Sequence, residues 1–164
     1  LSLHDALPIL EYVEKLSKFY RHLLQLRDQD LIPLETEIQG IHDYLFLQKM
    51  RFGESLSCVI EIQPEFLLCQ IPPLSLQLLT ENVVKHNIIS RSKPLEMRIY
   101  CEADYLCVSN PIQQKRHTEG STHIGLANLA ERLKLSTGKE LIVLNEASVF
   151  TVKVPLNCHE TPDH

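Results

Sequence analysis

The sequence has no apolar run approaching the roughly 18 residues of a membrane-spanning helix and no long run of basic residues. The first absence predicts that this part of the protein makes no contact with the membrane core. The second, together with a net charge of −5, argues against a nucleic-acid-binding surface. No charged stretch followed by an apolar one marks a secretory signal. The apolar fraction of 44% and charged fraction of 23% are those of an ordinary globular protein.

The sequence has no Cys-x-x-Cys pair, and its five cysteines are odd in number and scattered. A zinc site needs clustered ligands, so this spacing argues against one. Most of the cysteines lie in apolar or strand-like surroundings. We expect all of them to be reduced and buried as small hydrophobic side chains, as in a reducing compartment. The cysteines are Cys58, Cys69, Cys101, Cys107 and Cys158.

An initial methionine is also lacking. Residues 1–9, Leu-Ser-Leu-His-Asp-Ala-Leu-Pro-Ile, resemble one reading frame of a sequencing-library adapter. We therefore treat this segment as an assembly artefact and exclude it from the predicted fold. The protein is then expected to be longer at its N-terminus than the sequence shown.

Residues 10–53 are predicted to form an incomplete helical arm. Residues 10–29 lack Gly and Pro, and their apolar residues recur at steps of three and four, which indicates an amphipathic helix. Pro33 opens a second helix and Gly53 ends it. The apolar stripe of the second helix should face inward, whereas its acidic residues should face solvent. These acidic residues are Glu35, Glu37 and Asp43.

Residues 54–157 predict an α+β domain in which helices cover one face of a mixed sheet. The apolar period changes to two from residue 55, as in a strand. A helix follows at 72–87, and a polar loop at 109–123 leads into a helix at 124–135. Hairpins are predicted at 97–108, with a turn near Ala103-Asp104, and at 141–154. The tail, residues 158–164, is predicted to be disordered.

The predicted helix at 72–87 carries the residues with the clearest chemical potential. Gln77, Glu81, Asn82 and Lys85 fall on one face, opposite the apolar residues. An amide oxygen such as that of Asn82 can ligate Mg²⁺, and a lysine binds phosphate as a point charge. Glu81 could orient or deprotonate a nucleophile. The alternative is a solvated helix face with one Glu81–Lys85 ion pair.

A second candidate is the start of the helix near residue 124. Gly125 follows the polar loop directly, and a helix N-terminus presents free N–H groups and a positive dipole to phosphate. The alternative is the ordinary start of a helix. One glycine does not decide between the two.

Taken in order, these segments resemble the LytS/YehU-like sensor histidine kinases of the GHKL ATPase superfamily. The run Ile71-Pro-Pro-Leu-Ser-Leu-Gln-Leu-Leu-Thr-Glu-Asn-Val-Val-Lys-His resembles their N box, and Ile124-Gly-Leu-Ala-Asn-Leu-Ala-Glu-Arg-Leu resembles their G2 box. Leu34-Glu-Thr-Glu-Ile and Arg51-Phe resemble their linker helix. Phe150-Thr-Val-Lys-Val-Pro-Leu resembles their last strand. The resemblance covers residues 10–157.

The resemblance implies a two-layer Bergerat ATP-binding fold that takes ATP and Mg²⁺. Asn82 would ligate the Mg²⁺, and Glu81 would polarise the histidine that attacks ATP. The loop at 111–123 would form a lid over the nucleotide. The remaining contacts with ATP would come from Lys85, His86, Asn110, Gly125 and Leu126.

The resemblance also implies partners and a location. The helical arm would form a homodimer, and the phosphate would pass to a LytTR-type response regulator. The fragment would be the cytoplasmic part of an inner-membrane sensor.

The sequence departs from the family pattern in three ways. The acceptor segment Pro-His-Phe-x-Phe-Asn is missing from the 164 residues. Asn110 stands where the family has the aspartate that reads the adenine amino group. An amide can still accept that hydrogen bond, but without the charge. His123 stands where the first glycine of the G2 box is usual.

Two functions therefore stay open, an ATP-binding kinase domain and a degenerate scaffold of the same fold. Asn110 and His123 favour the scaffold, whereas Glu81, Asn82 and Lys85 favour the enzyme. His22, on the first helix, is interpreted as a packing or surface residue rather than a phosphate acceptor.

Overall fold

The computed structural model of the chain describes residues 2–116 and 122–158, apart from the side chains of Asp5, Thr122, His123 and Ile124. Its first part is a pair of helices, α1 (Leu3–Leu26) and α2 (Leu34–Phe52). Both helices predicted for residues 10–53 are therefore present, whereas their role as an arm stays a prediction. Helix α1 begins earlier than predicted and includes residues 3–9, whose adapter origin stays a prediction. No helix in the described ranges is both long and apolar enough to cross a membrane.

Both ends of α2 lie where the sequence predicts them. Pro33 is the residue before its first turn, and the acidic Glu35 and Glu37 lie within that turn, where negative charge suits the helix dipole. At the other end, Gly53 has a φ of 55°, and its backbone N–H donates to the Lys49 carbonyl. A positive φ favours glycine, so Gly53 is an effective helix stop.

The prediction that the acidic residues of α2 all face solvent is wrong for Glu37 and Asp43, which are buried, while Glu35 is exposed. Asp43 lies under α1, where it pairs with Lys15 at 3.5 Å and Lys18 at 3.8 Å. The reason is that α2 is covered on more than one side, by α1 and by the part of the chain that contains the sheet. Sequence periodicity shows only one apolar stripe.

His22 packs between the helices of the arm, as predicted for a packing residue. Its ring lies so close to Gly40 on α2 that a methyl group at Gly40 would overlap it. Burial lowers the pKa of His22, opposed by the charge of Asp43. Phe19 and Tyr44 pack nearby, with ring centres 5.9 Å apart.

A mixed sheet of five strands follows, formed by β2 (Leu56–Glu61), β4 (Leu95–Glu102), β5 (Tyr105–Pro111), β6 (Ile142–Glu146) and β7 (Val149–Pro155). The strands lie in the order β2-β4-β5-β7-β6. Strands β2 and β4 are parallel, and the other neighbours are antiparallel. Two short strands, β1 (Ile32–Pro33) and β3 (Gln70–Ile71), pair separately.

Helices α3 (Ser75–His86) and α4 (Thr122–Thr137) complete the α+β fold that the sequence predicts. They share one core with the buried face of the sheet, whose strand β4 alternates between buried and exposed residues. The predicted turn between β4 and β5 is confirmed, with Ala103 at a φ of 50°. Gly138 ends α4 at a φ of 73°. The helices contribute Leu76, Leu79, Leu129 and Leu133 to this core.

The expectation that all cysteines are reduced is wrong for Cys69 and Cys158, which form a disulfide. They are separated by 89 residues in sequence. They meet because Gln70 and Asn157 exchange two backbone hydrogen bonds of 2.8 and 2.9 Å. Burial raises the pKa of the free Cys58 and Cys101 thiols to about 12, which keeps them protonated. Of the predicted tail, 159–164 lies outside the described residues.

Candidate functional site

A cavity opens between α3, the first turns of α4 and the strands β5, β6 and β7. Its walls are mostly apolar and come from Leu79, Val83, Val108, Ile112, Leu126, Phe150 and Val152. Its polar groups are mostly amides, with one imidazole. They come from Asn82, His86, Asn87, Asn110, Gln114 and Asn145. A concave apolar site with a few polar groups is the usual form of a small-molecule site.

Asn82 lies on the cavity side of α3 and is half-buried. Its Nδ2 is buried, and no residue that the structure describes gives it a hydrogen-bond partner. The side-chain oxygen faces α4, since a methyl group added at Gly125 would lie 3.8 Å from it. A buried polar atom left without a partner is costly, so this amide is suited to a polar ligand.

Glu81 and Lys85 are exposed and do not line the cavity. Glu81 accepts a hydrogen bond of 2.7 Å from the Gln77 amide. Among the ion pairs of the described residues, none joins Glu81 to Lys85. Burial raises the pKa of Tyr44 on α2, and the charge of Glu81 adds to this effect. Glu81 therefore lies on the side of α3 that faces the helical arm.

Asn110 is 3% exposed and ends the part of β5 that borders the cavity. Its Nδ2 donates to the Pro111 carbonyl at 2.8 Å. Its Oδ1 is buried and has no partner among the described residues. Because the donor half of the amide is already used, Asn110 offers the cavity only an acceptor. An acceptor in this position suits a ligand with an amino group.

Phe150 and Asn145 also line the cavity, and neither was predicted as a site residue. Asn110 is paired with Phe150 in the sheet, and Phe150 is paired with Asn145. Directly paired residues point to the same face of a sheet, so the three side chains form one row at the cavity. The sequence predicts the hairpin that carries Phe150 and Asn145. It does not give the register of the strands, which decides which side chains face the cavity.

The end of α3 is joined to the segment after β5. Asn87 is buried; its Nδ2 donates to the Val83 carbonyl, and its Oδ1 accepts from the Gln113 N–H, both at 2.9 Å. The Lys115 N–H donates to the His86 carbonyl at 3.2 Å. Asn87 therefore holds one wall of the cavity in place. Its position at a helix end was the only sequence signal for this role.

The structure brings Asn82, His86, Asn110 and Leu126 together around one cavity. Gly125 adjoins it next to Asn82. Of the predicted lid, residues 117–121 lie outside the described residues, as does the side chain of His123. The roles assigned to these residues stay predictions.

Comparisons with known proteins show what this chain resembles in sequence and in fold. The family described as Histidine kinase matches residues 2–56. Sensor histidine kinase YesM of Bacillus subtilis is 27% identical over 139 residues, which cover 80% of this chain and 24% of that protein. Sensor protein LytS of Bacillus cereus is 28% identical over 162 residues, covering 86% and 28%. The chain thus spans about a quarter of the length of these relatives.

Solved structures show the same fold at lower identity. The cytoplasmic segment of histidine kinase QseC has a TM-score of 0.56 and 19% identity, covering 97% of this chain and 99% of that one. A nucleotide-free catalytic domain of histidine kinase ThkA has a TM-score of 0.51 and 14% identity, covering 77% and 98%. The chain is therefore related in sequence to the LytS and YesM sensor histidine kinases, and its fold is that of a histidine kinase catalytic domain.

Proposed function

We propose that this chain is the ATP-binding catalytic part of a two-component sensor histidine kinase. The parent protein would transfer the γ-phosphoryl group of ATP to a histidine and then to an aspartate of a response regulator. One observation supports this most strongly: two amides of the cavity, Asn82 and Asn110, each have a buried side-chain atom to which no described residue bonds. Such atoms fit a polar ligand that completes their hydrogen bonding.

The base of ATP would lie against the β5 side of the cavity. Asn110 Oδ1 would accept a hydrogen bond from the adenine amino group. Leu126 and Phe150 would cover the ring with apolar surface. A guanine would present a carbonyl oxygen to the same acceptor, which predicts selectivity for adenine.

The residues present also fit Mg²⁺ bound together with ATP. In the described part of the chain, no group of three or more His, Cys, Asp or Glu side chains converges on one point. Asn82 would therefore supply a single oxygen ligand, with the others coming from phosphates and water, as is usual for this ion. Bound there, Mg²⁺ would neutralise charge on the phosphates.

Residues at the rim would act on the phosphates and the nucleophile. Lys85 is exposed beside the cavity and would contact phosphate as a point charge. His86 lines the cavity and would do so as a hydrogen-bond donor. Glu81, on the arm side of α3, would polarise the attacking histidine by accepting its N–H proton. Gly125 would let the start of α4 approach the phosphates closely.

The arm would dimerise through α1. This helix exposes large apolar side chains at steps of three, four and seven residues, as a helix does when it packs on another. The parent would be an inner-membrane sensor that carries this part on its cytoplasmic side and signals to a LytTR-type regulator. Outside residues 1–9, the exposed apolar residues of α1 include Leu10, Val13, Tyr20 and Leu24.

Substitutions at Asn110 test the proposed nucleotide site. Asn110→Leu should weaken Mg·ATP binding by about tenfold, because the adenine amino group loses its buried acceptor. Asn110→Asp should bind as tightly as the unmodified chain or tighter, because a charged acceptor is stronger and offsets the lost bond to Pro111. Isothermal titration calorimetry measures both.

The control for these variants is Gln39→Leu, which removes an exposed amide on α2 that does not line the cavity. Its affinity should equal that of the unmodified chain. If Asn110→Leu also keeps full affinity, adenine is not bound there. The degenerate scaffold would then be the better account of the fold.

A further inference from the structure

Glu37 is a buried carboxylate on the arm that contacts a different helix. Its Oε1 accepts the Leu74 N–H at 2.6 Å, and its Oε2 accepts the Leu76 N–H at 2.9 Å. The side chain is 4% exposed. The residue before α3, Leu74, has a φ of 66° and makes no side-chain cap. The N-terminal N–H groups of α3 therefore take their acceptors from α2.

Arg132 of α4 holds the same turn from the other side. Its guanidinium donates to the Pro73 carbonyl at 2.5 Å, directly before α3. The positive charge of Arg132 also favours the ionised form of Glu37. The first turn of α3 is thus fixed between a carboxylate from the arm and a guanidinium from α4.

This turn leads directly into the residues of the proposed site. Gln77, Glu81 and Asn82 follow on the same rigid helix, and Gln77 bonds Glu81. A shift of the first turn would therefore move Asn82 relative to Gly125 and Asn110. Packing interfaces have discrete arrangements, so a change at α2 would be transmitted rather than absorbed.

We propose that Glu37 is a positioning residue that couples the helical arm to α3 and so sets the place of Asn82 in the cavity. The inference rests on the proposed Mg·ATP site. It adds that the affinity of this site depends on an ionised side chain of the arm, which does not itself line the cavity.

The protonation of Glu37 provides a direct readout of this coupling. Burial raises the pKa of Glu37 to about 7, and the N–H groups of Leu76 and Leu74 and the charge of Arg132 oppose the rise. The groups facing it are Arg132 on α4, His22 on α1 and Gln77 on α3. Protonation of Glu37 weakens one of its two carboxylate oxygens as an acceptor for the N–H groups of α3. Mg·ATP affinity should therefore fall as pH falls through 7.

The test compares Glu37→Gln with Glu35→Gln, a matched variant that removes an exposed carboxylate from the same helical turn. Calorimetry measures the Mg·ATP affinity of each between pH 6 and pH 8.5, below the unfolding temperature. We expect Glu37→Gln to bind about tenfold more weakly at pH 8, the effect of one hydrogen bond to a charged group. The difference should shrink toward pH 6. Titration of ATP itself is common to both variants and cancels in the ratio of their affinities.

A second measurement uses the unmodified chain and does not depend on the folding of a variant. By linkage, if ionised Glu37 strengthens binding tenfold, saturating Mg·ATP must lower the pKa of Glu37 by about one unit. Carboxyl-carbon NMR follows this pKa with and without nucleotide. A pKa that does not move overturns the coupling.

The remaining outcomes are distinct. Equal affinities of the two Gln variants, or a difference that is the same at every pH, overturn the inference and leave Glu37 as a structural cap. If the unmodified chain binds no Mg·ATP at any pH, the proposed function fails, and the positioning role fails with it. Binding by the unmodified chain with a pH-dependent ratio supports both.

Discussion

Replacing Asn82 by alanine should abolish Mg·ATP binding while leaving the chain folded. Asn82 is the only N-box side chain in the cavity with an amide oxygen close to Gly125, so its loss removes the proposed protein ligand of Mg²⁺. Folding should survive, because the deleted Nδ2 is buried without a partner in the described residues and contributes no hydrogen bond there. We expect affinity to fall by about a hundredfold, which is near the upper end for the loss of one contact to a charged group.

Calorimetry with Mg·ATP and thermal unfolding of the same samples check this prediction. Gln39→Ala on α2 is the control for the loss of an amide outside the cavity. An Asn82→Ala chain that binds Mg·ATP as tightly as the unmodified chain would remove Asn82 from the site. An unfolded variant would show instead that the amide has a structural role.

Incubation of the chain alone with radiolabelled ATP should yield no acid-labile phosphate. No Pro-His-Phe segment occurs in the 164 residues. His22 is the histidine of the arm that could most readily replace the missing acceptor. Its ring packs against Gly40, and burial lowers its pKa. A phosphate acceptor must approach ATP in line with its leaving group, which a packed side chain cannot do.

Addition of a segment that carries the family's acceptor histidine should restore the reaction, from within one chain or across a dimer. The matched variant is His22→Gln, which should change nothing in either experiment. Acid-labile phosphate on the chain alone, lost in His22→Gln, would identify His22 as the acceptor and contradict this account.

Most of the fold could be predicted from local signals. The period of the apolar residues changes where the arm ends and the sheet begins, and Pro33, Gly53 and Gly138 mark helix ends. Both signals depend only on neighbours in sequence, so they can be recognised without knowledge of the fold. The face of α3 that carries Asn82 could be predicted for the same reason.

What could not be predicted depends on contacts between distant segments. Glu37 and Asp43 were predicted to face solvent because α2 has one evident apolar stripe, yet other helices cover them. Cys69 and Cys158 meet only after the chain has folded. Phe150 and Asn145 reach the cavity through a strand register that no local pattern encodes. Each of these is a tertiary effect that overrides a local preference.

The most direct test of the central claim is a calorimetric titration of the unmodified chain with ATP, in the presence and in the absence of Mg²⁺. The account predicts saturable binding at one site per chain, weaker without Mg²⁺, because the cavity presents one adenine acceptor, Asn110, and one metal ligand, Asn82. No saturable binding in either titration would contradict it and would identify the domain as a scaffold that keeps the fold without the nucleotide.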